Sequence, residues 1–161
     1  MRQITYALQF QGRTLVTSPG DRTVRITAFA PSCTVTTLLG PDGVASAVEP
    51  VPGARATCEM TVVSAATSRP RGAATVTFGP AGHRLHLRLR GHSALAGGTA
   101  AVTCCALVWH VVRGEGQFAD AAGLIASHLV IDARGAVTDT QFGVITLLAA
   151  PGGAEVDGVW P

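Results

Sequence analysis

The sequence predicts an all-β protein whose fold is an antiparallel barrel of eight strands, or nine. Apolar and polar residues alternate with period two in segment after segment, and turns rich in glycine and proline separate these segments. Charged residues make up only 14% of the 161 residues while 47% are hydrophobic, so much of the chain must be buried. Many short strands with turns between them are typical of an antiparallel sandwich or barrel.

The length of the chain suits one domain with a hydrophobic core and is too short for two ordinary domains. We assign residues 1–150 to a single barrel domain. Residues 151–161 form a C-terminal tail rich in glycine and proline, with Trp160 as an anchor. We expect this tail to pack on the barrel or on a partner subunit.

The strands of the first half follow from alternation and turn residues. Residues 3 to 10 place Ile4, Tyr6, Leu8 and Phe10 on one face, and residues 23 to 29 alternate in the same way. Two segments, CTVTTLL and VASAV, are joined by the turn signal GPDG. The clearest hairpin of the chain has AATVTF and RLHLRLR on either side of GPAGH.

A long strand over residues 99 to 113 is apolar on both faces. Leu107, Trp109 and Val111 share one face, while Val108 and His110 lie on the other. One face must line the barrel lumen, and the other then needs cover from the tail or from another subunit. The sequence therefore predicts a homo-oligomer, most simply a homodimer.

The segment GEGQFADAAG, residues 114 to 123, allows two interpretations. In the first, Gly114-x-Gly116-x-x-Ala119 opens a helix at a dinucleotide site and Asp132 holds the ribose. In the second, the segment is a tight bend between two strands, and Phe118 folds inward to plug the barrel end. Gly123 would cost a helix about 1 kcal/mol, and the other segments have period two, so we favour the bend.

The segment RGEGQFADAAG, between a long strand and a returning one, resembles the G-x-G-x-F-x-G-A-x-G turn of the allene oxide cyclase and dirigent superfamily. The resemblance covers residues 107 to 148 and is specific in the turn, where Asp120 replaces a glycine of the motif and Ala121 keeps the alanine. These proteins are eight-stranded antiparallel barrels, and related barrels act as cyclases in bacterial polyketide pathways, some by cycloaddition. The resemblance therefore implies a barrel.

An eight-stranded barrel has an interior that side chains fill or that holds one small ligand. His110 and His128, on the strands that flank the bend, are candidate general acids or bases, and they lie near one another if those strands pair. Glu59 is either a lumen carboxylate or a solvent-facing one. Asp139 and Gln141 share a strand face and either orient a polar ligand or lie at the surface. The candidate ligand-binding residues are Tyr6, Trp109, Phe118, Gln141 and Phe142.

Other features of the chain limit the partners, the metal content and the location that we expect. The net charge of +2 favours neither nucleic acid nor an anionic membrane, and the stripe Arg84/His86/Arg88/Arg90 is interpreted as a solvated face or a site for an acidic partner. The four cysteines show no metal-ligand spacing, so we expect no metal. The start of the chain lacks the apolar block of a signal peptide, and the run over residues 104 to 112 is too short to span a bilayer. We expect a cytoplasmic protein.

Three functions fit these expectations. The first is a cofactor-free cyclase or isomerase that folds a flexible substrate of the secondary-metabolite type in an apolar lumen. The second is a barrel that binds a small hydrophobic molecule without chemistry. The third is a structural, oligomerising barrel whose lumen is filled by side chains.

Overall fold

The structure is a computed structural model that describes residues 1–15, 23–41, 43–63, 70–94 and 102–147. Within these ranges the chain forms ten strands and one short 3-10 turn. The strands are β1 (Arg2–Leu15), β2 (Thr23–Ala30), β3 (Cys33–Gly40), β4 (Gly43–Pro50), β5 (Ala56–Val63), β6 (Arg71–Phe78), β7 (His83–Ala94), β8 (Val102–Glu115), β9 (Ala121–Asp132) and β10 (Ala136–Leu147). The predicted tail, residues 151–161 with Trp160, lies outside the described residues.

Eight of the strands close into an antiparallel barrel, which confirms the predicted fold class. Their order around the barrel is β1-β10-β9-β8-β7-β6-β5-β2. Strand β1 closes the sheet because it pairs on both sides. It pairs with β10 from Arg2 to Arg13, and with β2 from Gln11 to Leu15. No free sheet edge therefore remains among these eight strands.

Strands β3 and β4 form a hairpin outside the barrel. They pair with each other in a separate two-stranded sheet that is inserted between β2 and β5. Nearly every residue of this hairpin is exposed, including the apolar Val35, Leu38, Leu39 and Val44. The base of the hairpin touches the barrel at Cys33, whose thiol donates to the backbone oxygen of Ala7 over 3.4 Å.

The core lies inside the barrel because each strand sends alternate side chains inward. The inward set of the long strand β8 is Leu107, Trp109 and Val111, all almost fully buried. The inward leucines of β7 lie beside them on the neighbouring strand. The predicted hairpin of β6 and β7 is confirmed, since the two strands pair antiparallel. The other large buried apolar side chains include Phe10, Ile26, Met60, Val76, Ile125 and Ile145.

The bend after β8 closes one end of the barrel. Gly116–Phe118 makes a single 3-10 turn, and β9 then returns antiparallel to β8, so the dinucleotide interpretation at Gly114 and Gly116 is wrong. No helix starts at Gln117, because β9 begins at Ala121, directly after the single turn. Phe118 folds inward and is 3% exposed, as predicted. A Cβ at Gly114 would overlap the backbone oxygen of Phe118, so this position requires glycine.

Asp120 ends the bend in a left-handed backbone conformation, with φ of 59°. We expect Asp120→Val to lower the free energy of unfolding by about 1–2 kcal/mol, because a β-branched side chain clashes with the backbone at positive φ. Asp120→Gly should leave the free energy of unfolding unchanged or raise it. Urea denaturation of the three proteins measures this, and equal stability of the valine and glycine variants would contradict the assigned conformation.

Candidate functional site

A cluster of polar side chains lies inside the otherwise apolar barrel. Ser127, Asp139 and Gln141 are buried on the inward faces of β9 and β10, with at most 4% of each residue exposed. Tyr6 of β1 and Cys58 of β5 reach the same cluster from neighbouring walls. Buried polar groups are stable only when they are hydrogen-bonded, so the partners of each group matter.

Asp139 is the centre of this interior polar cluster. One oxygen of its carboxyl group accepts from the Ser127 hydroxyl over 2.5 Å, and the other accepts from the Gln141 amide nitrogen over 2.7 Å. The Gln141 amide oxygen in turn accepts from the Tyr6 hydroxyl over 3.0 Å. The Gln141 nitrogen also lies 3.8 Å from the sulfur of Cys58. A continuous chain of hydrogen bonds thus crosses the interior.

Burial dominates the electrostatics of this cluster. Loss of hydration raises the pKa of Asp139, and the hydrogen bonds from Ser127 and Gln141 only partly oppose this shift. Burial likewise raises the pKa of Cys58 to about 12, with a smaller contribution from Asp139, and it raises the pKa of Tyr6. The interior therefore favours the neutral form of each acid, and Asp139 holds a proton to higher pH than a solvated aspartate.

An apolar recess opens at the end of the barrel opposite the bend. Its volume is about 220 Å³, and its wall comes from β2, β5, β7, β8 and β9. The apolar wall includes Ile26, Val62, Leu89, Leu107, Leu129 and Ile131. His92 and Thr103 contribute the polar side chains of the lining.

The polar cluster lies directly beside this recess. Leu129, which lines the recess, is the cross-strand partner of Asp139, and Leu107 is the partner of Ser127. Directly opposite residues of an antiparallel pair have Cβ atoms about 5 Å apart. The carboxyl group of Asp139 therefore lies about one side chain away from the apolar space.

Aromatic side chains fill the other end of the barrel. Phe118 packs on Phe78 with ring centroids 5.0 Å apart, and Phe78 meets Tyr6 edge to face at 5.9 Å. Trp109 is fully buried in the core, and its indole nitrogen has no hydrogen-bond partner.

The five predicted ligand-binding residues divide into three groups. Tyr6 and Gln141 belong to the interior polar cluster. Trp109 and Phe118 are core residues that fill the barrel. The prediction for Phe142 is wrong for a lumen ligand, since Phe142 is 54% exposed on the outer face. The alternation of β10 sends Gln141 inward, so Phe142 must point outward.

The three predicted catalytic residues also lie on the outer face, so the structure does not bring them into the lumen. Glu59 and His128 are exposed, and His110 faces outward because its neighbours Trp109 and Val111 face the core. The two histidines do not contact each other. His110 pairs with Leu124 of β9, and His128 lies four residues further along that strand, which is about 13 Å from Leu124. Glu59 lines an outer groove between β2 and β6.

The acid that does enter the interior is Asp139, which the sequence left open between a ligand-facing role and a surface role. Ser127 and Cys58 were missed as members of the cluster. A signal for Ser127 exists in its spacing, because it alternates with the apolar Ile125 and Leu129 on the inward face of β9. Cys58 stands between the inward Ala56 and Met60 in the same way.

Within the described ranges, no group of three or more histidine, cysteine or acidic side chains is placed to hold a metal ion. In the same ranges no helix has the length and apolarity needed to cross a membrane. No protein-family model, curated protein or solved structure matches the chain. The resemblance to the allene oxide cyclase group therefore stays a prediction.

The raised pKa of Asp139 makes a prediction about stability. Below the unfolded pKa of about 3.9 both states hold the proton, and above it the unfolded state loses the proton first. The contribution of Asp139 to the free energy of unfolding is therefore lost as pH rises through its folded pKa. Asn cannot titrate, so the stability of the wild type relative to Asp139→Asn should fall over this interval and then level off.

Urea denaturation of both proteins at a series of pH values measures this difference. A difference that stays constant, or that grows with pH, would contradict a buried carboxyl group with a raised pKa. Circular dichroism at each pH serves as the control, since it reports whether both proteins keep the same strand content before urea is added.

Proposed function

We propose that the barrel binds a small, neutral, hydrophobic molecule in the recess at its open end. The observation that carries this proposal is the apolar wall that the described residues give the recess, at the end of the barrel opposite the one that Phe118 fills. Ligand sites are typically concave and mostly apolar, with a few polar groups that fix orientation. His92 and Thr103 are suited to that second role at the lining of the recess.

The volume of the recess sets the size of the ligand. An apolar protein cavity of about 150 Å³ binds benzene, so a recess of about 220 Å³ suits a molecule about the size of two fused rings. A larger molecule would have to extend through the open end into solvent. A flexible chain of this size would be forced into a compact, folded shape.

We further propose that Asp139 makes the barrel a cofactor-free cyclase or isomerase. The support is the position of a buried carboxyl group, whose pKa is raised by burial, about one side chain from the apolar space. A protonated carboxyl group can donate its proton to an epoxide oxygen or an alkene, and the carboxylate recovers a proton when the rearranged product forms. This exchange consumes no other reactant. Gln141 and Ser127 act as positioning residues that hold the carboxyl group.

Binding is tested with naphthalene as the probe, followed through the methyl NMR signals of the protein. We expect saturable shifts of the Leu107, Leu129 and Ile131 methyl groups. Leu129→Trp should weaken binding at least about tenfold because the larger side chain fills the recess. The matched control is Leu124→Trp, a change on the outward face of the same strand, which should bind naphthalene like the wild type.

The outcomes distinguish the alternatives. Absence of saturable binding to a folded wild type would contradict the proposal and favour a structural barrel with a filled lumen. Equal weakening by both tryptophan variants would place the naphthalene elsewhere. If Leu129→Trp fails to fold, as judged by circular dichroism, Ile131→Phe fills the same recess with a smaller change.

Catalysis is tested by incubating the protein with a panel of small neutral polyenes and epoxides. Turnover of a panel member should fall by roughly 10²–10⁴-fold in Asp139→Asn, while naphthalene binding is retained. His110→Gln is the matched control because His110 faces outward, and it should leave turnover unchanged. Binding without turnover of any panel member would favour the non-catalytic binding barrel instead.

A further inference from the structure

Charge is divided unevenly over the outside of the barrel. The charged half is defined by β2, β5, β6 and β7 with the adjoining ends of β1 and β8. Its outward charged side chains are Arg13, Arg25, Glu59, Arg71, Arg84, Arg88, Arg90, Arg113 and Glu115. Glu115 contacts three neighbouring side chains, Arg84 at 3.3 Å, His86 at 3.0 Å and Arg113 at 2.7 Å. This half is a solvated surface.

The neutral face, as we call it, is the outer surface of residues 3–9 of β1, 102–112 of β8, 122–130 of β9 and 138–146 of β10. No outward position within these four described ranges carries an aspartate, glutamate, lysine or arginine. Its exposed apolar side chains include Val108, Val112, Leu124 and Phe142, each at least 40% exposed. The other outward positions of the neutral face are small or apolar residues and uncharged threonine, glutamine and histidine. Exposed apolar side chains that lie close together mark an interaction site more often than scattered ones do.

The register makes the centre of the neutral face alternate between small and large side chains. Val108 pairs with Ala126, Ala126 pairs with Phe142, and Phe142 pairs with Ala7, so one row crosses four strands. When two copies meet about a two-fold axis, the bulky Phe142 of each can lie over an alanine of the other. The row is therefore complementary to itself.

The hairpin β3–β4 adjoins the neutral face at its β1 edge, where Cys33 contacts Ala7. A two-stranded ribbon is marginally stable on its own in water. The apolar side chains Leu38, Leu39 and Val44 are 52%, 81% and 74% exposed, so the barrel of their own chain does not cover them. Removing these side chains from water requires another surface, and that surface must be apolar.

The neutral face alone offers less area than stable self-association needs. Four strands about 4.8 Å apart, each with about 30 Å of outward residues, span on the order of 600 Å². A stable interface buries about 800 Å² on each partner. The barrel surface is convex, so two neutral faces alone would touch along a strip, and the hairpin arms must supply the remainder.

We propose that two copies of this chain form a two-fold dimer through the neutral face, with the β3–β4 hairpin of each copy packed against the other. The neutral face offers no charge to orient a charged protein partner, whereas its row of alternating sizes fits a second copy. The recess lies at the barrel end and not on this face, so the dimer leaves it open.

Sedimentation velocity at micromolar concentrations tests this dimer. The wild type should have twice the monomer mass of 16.4 kDa. Phe142→Asp and Leu39→Asp should each raise the dissociation constant at least about 100-fold, because each buries a charge in an apolar contact. The matched control is Val63→Asp, at an exposed apolar residue of the charged half, and its mass should stay dimeric.

Several results would overturn the proposal. One is a wild type that stays monomeric at 100 times the protein concentration used for the variants. Another is a sedimenting mass of three or more copies. The third is a Val63→Asp variant that dissociates as much as the variants of the neutral face and the hairpin. If Phe142→Asp loses its strand signal in circular dichroism, Ala126→Arg probes the same row from an exposed position. A dimer that persists in Ala126→Arg would overturn the proposal as well.

Discussion

Closure of the sheet by β1 is the constraint on which the rest of the molecule depends. Because β1 pairs with β10 on one side and with β2 on the other, the eight strands have a single inside and a single outside. Each strand then sends every second side chain into that one interior. The pairing of Tyr6 with Gly143 shows the result. It brings the first and the last of the described strands together, so that the Tyr6 hydroxyl reaches Gln141 in the polar cluster.

The interior polar cluster is the exception to an otherwise apolar core. A barrel filled only by leucine and valine would avoid the cost of burying a carboxyl group. Here Asp139 is retained with Ser127 and Gln141 as hydrogen-bond partners, and its hydration is replaced by fixed dipoles. A group held in this way is rigid and keeps its proton more readily than in water, which are properties that acid catalysis requires.

The sequence predicted the closed antiparallel fold because alternation and turn residues are local signals. The bend at residues 114 to 123 was predicted correctly for the same reason, since Gly114 must approach the backbone of Phe118 closely. Which face of each strand points inward is not a local property. The sequence therefore left Glu59 open between the lumen and the solvent, and it placed Phe142 among the ligand-binding residues, although both side chains are exposed on the outer face. It also predicted that the two histidines lie closer together than they do.

The division of the chain into a barrel and a separate hairpin could not be predicted from the sequence either. Residues 33 to 50 alternate like the other strands, and nothing in their pattern says that β2 pairs with β5 across them. Only the exposure of Leu39 and its neighbours reveals that this hairpin is left out of the core. The same closure that buries Asp139 thus also leaves the hairpin outside.

The most direct test of a closed barrel with a proton-holding interior is the titration of the Asp139 side-chain carboxyl carbon by NMR. The closed barrel predicts a titration midpoint above the ordinary aspartate value of 3.8, because the group is buried away from water. A midpoint at or below that value would contradict both the burial of Asp139 away from water and the acid role proposed for this residue.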